Sequence, residues 1–423
     1  MISKRYSAAI AGALGNTLEW FDFAVYGYFA TSLGKVFFVD SDPVLQSVAS
    51  FGVFAIGYLA RPIGSLILGP IGDLWGRKKM MTLSIVIMGL ASFLIALLPV
   101  YAQVGAIAAY MLMFLRLVQG FSVGGEYTGS MVYAAEASPA NKAGLMSGIA
   151  HAGAVFGFFL GSLFAAVMAY FFSQDAIESW AWRIPFFLGA VVAILGWYLR
   201  LHMPETLEIV IEHRVSLKEV RQVIFDRLCS ITKNWRVLLK IAALVSFSNV
   251  LFYVHFVYFV DYVAKQTNSM QDTNIVATIV QLFGVPFIVL GGWLGDRIGR
   301  VLVTRYATWG GAVLVIPCVL LSQGGGLVGL ALAQVAIVIP IMLLFGAQGV
   351  LISGLVKPSE RCSLFAIGYS LSVGLFAGTA PLIVSWFLEV KSWVWAPAIY
   401  CFIYALPAIY ILHKMRDESI NVQ

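Results

Sequence analysis

Twelve apolar runs constrain this chain more than any motif within it. They fall at about residues 8–33, 47–70, 80–99, 104–131, 144–172, 182–201, 239–263, 274–293, 302–322, 326–348, 363–386 and 393–412, each with the roughly 20 residues a helix needs to cross a hydrocarbon layer. Lipid offers the backbone no hydrogen-bond partner, so runs of this kind become helices. With 60% hydrophobic and 11% charged residues and a mean hydropathy of +0.88, the composition excludes a soluble domain. The expected fold class is all-α integral membrane, with twelve transmembrane helices. The first run follows Lys4 and Arg5 but is too long and too acidic for a signal peptide, and is read as retained.

Basic residues in short loops stay on the cytoplasmic side of a membrane. Of 27 lysines and arginines, 21 fall on the side of both termini, including eight from Arg200 to Lys240. Lys35, Arg183, Lys265 and Lys391 fall on the other side, and Arg61 and Arg116 lie within helices. The expectation is a multi-pass protein of the plasma membrane, the cell inner membrane in a Gram-negative bacterium, with both termini cytoplasmic. Its formal charge of +6 then reflects topology and an anionic leaflet, not a nucleic-acid partner. Cys229, Cys318, Cys362 and Cys401 are singletons without metal spacing, and five scattered histidines form no ligand set. No metal or cofactor is expected, and no nucleophile or cofactor motif suggests an enzyme.

The longest polar interval, about His202 to Asn234, divides the runs six and six. Gly69-Pro-Ile-Gly72-Asp73-Leu-Trp-Gly76-Arg77 after the second run returns as Gly292-Trp-Leu-Gly295-Asp296-Arg297-Ile-Gly299-Arg300 after the eighth, and Pro139–Lys142 is echoed by Pro358–Arg361. Two parallel copies of a six-helix unit follow, with bundles expected at 1–201 and 239–423 and a cytoplasmic linker at 202–238. Such pseudo-symmetry suits alternating access around a mid-membrane site.

The most costly residues are acids inside the first run. Glu19 and Asp22 share a helix face with Gly15 and Tyr26 and must face protein or water. Helix four carries Arg116, Gln119 and Glu126 within an arc of about 80°. At about 1.5 Å per residue, Glu19 and Arg61 lie about 16 Å deep, Asp22 and Gln119 about 21 to 23 Å, and Glu126 about 12 Å. Three carboxylates against two guanidiniums leave one acid in excess, and a carboxylate shielded from water can take up a proton near neutral pH while arginine stays charged. Glu19, Asp22 and Glu126 are therefore the proton-coupling candidates, Asp22 and Glu126 first, with Asn16 expected to orient Glu19. Arg61 and Arg116 suit bidentate carboxylate recognition. With Gln119 and Tyr26, and with Tyr253, His255, Gln281 and Tyr369 from the second half, they form the expected substrate site.

The doubled Gly-x-x-x-Asp-x-x-Gly-Arg loop resembles the signature loop of the major facilitator superfamily, at the corresponding helix boundary in each half. The resemblance implies that Asp73 and Arg77, with Asp296, Arg297 and Arg300, lock the cytoplasmic side, Arg77 pairing with Glu136. Leu355 stands at the position equivalent to Glu136 in the second half, so Glu205 is the substitute partner there. Leu74 departs from the pattern, where the family often has arginine. Gly15-Asn16-Thr17-Leu18-Glu19-Trp20-Phe21-Asp22-Phe23, Arg61-Pro62-Ile63-Gly64 and Arg116-x-x-Gln119-Gly120 further resemble the metabolite:proton symporter family of that superfamily.

This resemblance implies a monomeric importer of a small metabolite with protons as the second substrate. An organic acid is the first expectation. A zwitterion such as proline or betaine is the alternative, its ammonium meeting an aromatic face. Proton-driven export is a further alternative, disfavoured because Gly153, Gly157 and Gly161 repeat in helix five without the Gly-Pro pair common in exporters. Only His413 to Gln423 follow Leu412, where the osmosensing branch carries a long coiled coil, so osmoregulation is not expected.

Overall fold

The computed structural model describes residues 4–38, 43–75, 77–136, 138–201, 221–222, 225–226, 229, 232–356 and 361–416. Among them, eleven helical stretches are long and apolar enough to cross a bilayer. The first helix, which carries Glu19 and Asp22, completes twelve. We number them α1 (Lys4–Tyr28, continued by Ala30–Phe37), α2 (Pro43–Leu59 and Arg61–Trp75), α3 (Arg77–Ala96), α4 (Ile107–Ser122 and Glu126–Glu136), α5 (Ala143–Phe171) and α6 (Ile184–Leu201). The second six are α7 (Trp235–Tyr253, a π-turn at Val254–Tyr258, then Phe259–Thr267), α8 (Met270–Ile298), α9 (Arg300–Gly324), α10 (Gly326–Ser353), α11 (Arg361–Ser372 running on through two π-turns to Val390) and α12 (Ala396–Lys414).

The sequence repeat is visible as repeated packing. In α2 and α4, a Cβ on Gly64 or Gly120 would run into the backbone of Phe121 or Gly57, so these helices cross with backbones in contact. The equivalent pair, α8 and α10, crosses the same way: a Cβ on Gly291 would lie 2.5 Å from Leu343 O, and one on Gly346 would strike Ile288. Between the bundles, α5 meets α8 where Gly144 faces Gly292, and α11 meets α2 where Gly374 faces the Tyr58 carbonyl. The α5 glycines at 153, 157 and 161 press on Ala13, Thr17 and Ala24 of α1, as their four-residue spacing predicts.

These crossings place the polar residues. The α2–α4 contact brings the Arg116 side chain against Gly57 and sets Arg61 at the start of the second segment of α2. Asn16 corrects an expectation. Its amide donates to Ser130 Oγ at 3.0 Å and to Ala150 O at 2.8 Å, fastening α1 to α4 and α5 instead of orienting Glu19.

The end of the molecule near Arg300, Arg361 and Lys414, here called the basic face, is tied across the two bundles. Asp296 at the end of α8 accepts from the backbone N–H groups of Gly144 and Leu145, at 2.9 and 2.8 Å. The carboxylate thus caps the N-terminus of α5 in the other bundle, where the helix dipole favours an anion. Arg300 stands 3.1 Å from the same carboxylate. A second tie joins Glu136 of α4 to Arg361 of α11 at 3.0 Å.

Candidate functional site

Two buried carboxylates on α1 are held differently. Glu19 Oε1 lies 3.7 Å from Arg61 Nη2, with both side chains nearly inaccessible. The Arg61 guanidinium also sits 4.5–4.6 Å from the ring centres of Trp20, Phe23 and Tyr58. Arg116 lies over Phe23 at 4.8 Å and Tyr26 at 4.2 Å, so the Phe23 ring serves both cations. Desolvated cation–π contacts of this kind contribute about 2 kcal/mol each, and they keep two guanidiniums in one apolar layer.

Asp22 meets neutral groups. Ser92 Oγ on α3 lies 2.6 Å from Asp22 Oδ1, and Gln119 Nε2 on α4 lies 2.6 Å from Asp22 Oδ2. The other end of the Gln119 amide accepts from Arg116 Nη1 at 2.8 Å. A guanidinium only donates, so the amide oxygen must face Arg116 and the amide nitrogen must face Asp22. Gln119 therefore separates what would otherwise be an arginine–aspartate pair. The single Ser92 proton has two acceptors in reach, Asp22 at 2.6 Å and the Met88 carbonyl at 3.0 Å. Both charge states of Asp22 can be satisfied: a carboxylate receives the serine proton, and a carboxylic acid donates to Ser92, whose proton turns to Met88.

Beside this layer, between the bundles, is an aromatic cavity lined by Trp20, Tyr127 and His151 on one side and Asn249, Tyr253, Phe345 and Tyr369 on the other. Tyr127 stands edge-on to Trp20 at 5.2 Å and 4.9 Å from the ring of Tyr369. His151 Nε2 is 2.8 Å from the Tyr127 hydroxyl, and its ring stacks on Phe345 at 4.7 Å. Tyr253 donates to the Tyr58 hydroxyl at 2.7 Å, linking the cavity wall to the ring over Arg61. The cavity measures about 20 Å³, room for one water.

A larger cavity of about 440 Å³ lies towards the opposite face, reached by Tyr28, Thr31, Lys35, Asp261, Lys265, Asn274 and Glu389. Thr31 of α1 donates to Asp261 of α7. Lys265 bridges Asp261 at 2.8 Å and Glu389 of α11 at 3.1 Å.

The structure brings together Glu19 with Arg61, and Asp22 with Gln119, as matching depth along the helices suggests. Tyr253 and Tyr369 line the aromatic cavity. Arg116 and Tyr26 do not; each is enclosed in the layer behind it, where Tyr26 donates to Ser50 O at 3.4 Å. Gln281 donates to Tyr28, joining α8 to α1. His255 is in neither cavity lining: it lies beside Phe259, and its carbonyl accepts from Gln334 at 2.8 Å. The π-turn at Val254–Tyr258 shifts the facing of α7 there, which counting at 100° per residue does not anticipate. Arg297 is exposed over Trp293 at 5.4 Å, so Asp296 and Arg300, not Arg297, make the contacts at the α8 end. Glu205 lies outside the described residues, as do the side chains of Asp73, Arg77 and Glu126. Sequence reasoning missed Ser92, Tyr127, His151 and Arg361. The signal for His151 was a polar side chain among small residues of α5.

A family model described as "Sugar (and other) transporter" matches residues 8–214. The chain is 34% identical to the proline/betaine transporter of Salmonella typhimurium, across 98% of this chain and 84% of that one. It is 32% identical to the ectoine/proline transporter of Corynebacterium glutamicum, across 98% and 85%. Among solved structures, a partially occluded, inward-open form of the xylose transporter from E. coli superposes with a TM-score of 0.77 at 18% identity, covering 99% of both chains.

Proposed function

This chain belongs to the major facilitator superfamily, and from that premise we propose that it imports a small zwitterion of the proline or betaine kind together with protons, by alternating access. It is a membrane transporter of a small molecule and not an enzyme. The observation that carries the substrate reading is the aromatic cavity backed by one guanidinium. Trp20, Tyr127, Tyr253 and Tyr369 present ring faces and edges to its interior, a lining that suits a quaternary or secondary ammonium. Arg61 stands directly behind Trp20 and suits a single carboxylate. Arg61 already faces Glu19 at 3.7 Å and Arg116 is occupied by Gln119, Phe23 and Tyr26, so a di- or tricarboxylate would bring two or three charges to a site with little unmatched positive charge among the described residues. The names of the relatives support the same choice over an organic acid.

The cavity takes walls from both halves, which supports bundles at 1–201 and 239–423 that move about it, joined by the linker at 202–238. At about 20 Å³ it is too small for such a substrate, so the bundles must part to admit one. Asp22 is the proposed proton carrier, supported by its neutral partners and by the two-way hydroxyl of Ser92. The clustering of basic residues supports termini in the cytoplasm, in the plasma membrane or bacterial inner membrane. The ties across the basic face and the cavity towards the opposite face then fit a state that receives substrate from outside.

A thermal-shift screen of the purified protein tests the substrate reading, since a ligand of the folded state raises its apparent stability. Betaine or proline is expected to raise the melting temperature, and citrate and 2-oxoglutarate are expected to leave it unchanged. The reverse pattern overturns the reading.

A further inference from the structure

The 440 Å³ cavity towards the opposite face is separate from the aromatic one and lies within the size range of small-ligand pockets. Its charges are unevenly matched. Lys35 pairs with Glu178 at 2.6 Å, whereas Lys265 alone serves two carboxylates, Asp261 and Glu389. Among the described residues no second cation stands within ion-pair distance of Asp261 or Glu389, so this corner is one positive charge short. Across the cavity, Asn274 of α8 is 1% exposed, and neither its amide nitrogen nor its amide oxygen has a hydrogen-bond partner. A buried amide N–H without an acceptor is costly, and a ligand offering a carboxylate would supply one.

We propose that this cavity is a second, peripheral binding site for a small zwitterion, whose ammonium lies against Asp261 and Glu389 and whose carboxylate accepts from the Asn274 amide. The inference rests on the zwitterion reading of the central site. The peripheral site lies between α1, α7, α8 and α11 and holds one substrate molecule while another occupies the centre. Its acidic corner selects for a cationic group, so a dicarboxylate is repelled.

Equilibrium dialysis of the full-length protein in nanodiscs against labelled proline, and separately labelled betaine, counts the sites. Two molecules per chain are expected for the wild type, one for Asn274→Leu and one for Glu389→Gln, with the thermal unfolding profile of each variant confirming a folded protein. Trp20→Ala, which alters the central cavity, is expected to keep the peripheral molecule. One molecule per wild-type chain, undiminished in Asn274→Leu and Glu389→Gln, overturns the peripheral site and leaves the central reading standing. No bound proline or betaine at ligand concentrations up to about 10 mM, on the order of the weakest specific binding, overturns both.

Discussion

Gln119 separates Arg116 from Asp22, accepting from the guanidinium at 2.8 Å and donating to the carboxylate at 2.6 Å. Replacing it with leucine removes both bonds and leaves two buried charged groups less well satisfied. Gln119→Leu should lower stability by about 2–4 kcal/mol. Because the loss comes largely from the aspartate charge, adding Asp22→Asn should recover part of it in a double-mutant cycle read by thermal unfolding. Strict additivity would show that the two side chains are not coupled.

Trp20 lines the aromatic cavity and also lies 4.6 Å from Arg61. Trp20→Ala should weaken betaine binding by about 5- to 30-fold, the equivalent of roughly 1–2 kcal/mol of cation–π contact, and Trp20→Phe should retain much of the affinity. Titration calorimetry reads both. Equal loss for alanine and phenylalanine would remove the ring from the account.

The pair Glu136–Arg361 ties the bundles at the basic face, but its members are not equivalent. Glu136 is 37% exposed and Arg361 only 4%, and Arg361 also donates to Ser353 O at 2.9 Å. Glu136→Ala should cost under about 1 kcal/mol, as exposed ion pairs do, whereas Arg361→Ala should cost about 1–3 kcal/mol. The swapped pair, Glu136→Arg with Arg361→Glu, should transport better than either single reversal. Failure of the swap to rescue would show that the contact is incidental to the transport cycle.

Helix crossing makes a clean contrast between two glycines of the first bundle. A Cβ on Gly120 would collide with the Gly57 carbonyl, while one on Gly52 meets nothing within 4 Å. Gly120→Ala should lose most of the folded yield in size-exclusion chromatography. Gly52→Ala should keep it and gain up to about 1 kcal/mol from helix propensity.

What the sequence made legible was position along each helix. Apolar runs placed the twelve spans, and the rise per residue matched Glu19 with Arg61 and Asp22 with Gln119. Direction around the helix was less legible. His255 turns away from the cavity at the π-turn of α7, and Asn16 faces Ser130 and Ala150, because local helix geometry and inter-helix rotation decide facing. Arg361 was hidden for another reason. It lay in an echo of Pro139–Lys142, and nothing local to either segment says that the end of α4 and the start of α11 lie side by side. His151 and Tyr127 belong to different helices and acquire meaning only when α4 and α5 are packed.

The central claim, that Asp22 couples substrate to protons, is tested most directly in proteoliposomes with labelled betaine or proline. Wild-type protein should accumulate the label when the lumen is made alkaline relative to the bath and lose accumulation when the gradient is collapsed. Asp22→Asn should still exchange label down a substrate gradient but accumulate none with the pH gradient imposed. Accumulation by the wild type without a pH gradient, or undiminished gradient-driven accumulation by Asp22→Asn, would contradict it.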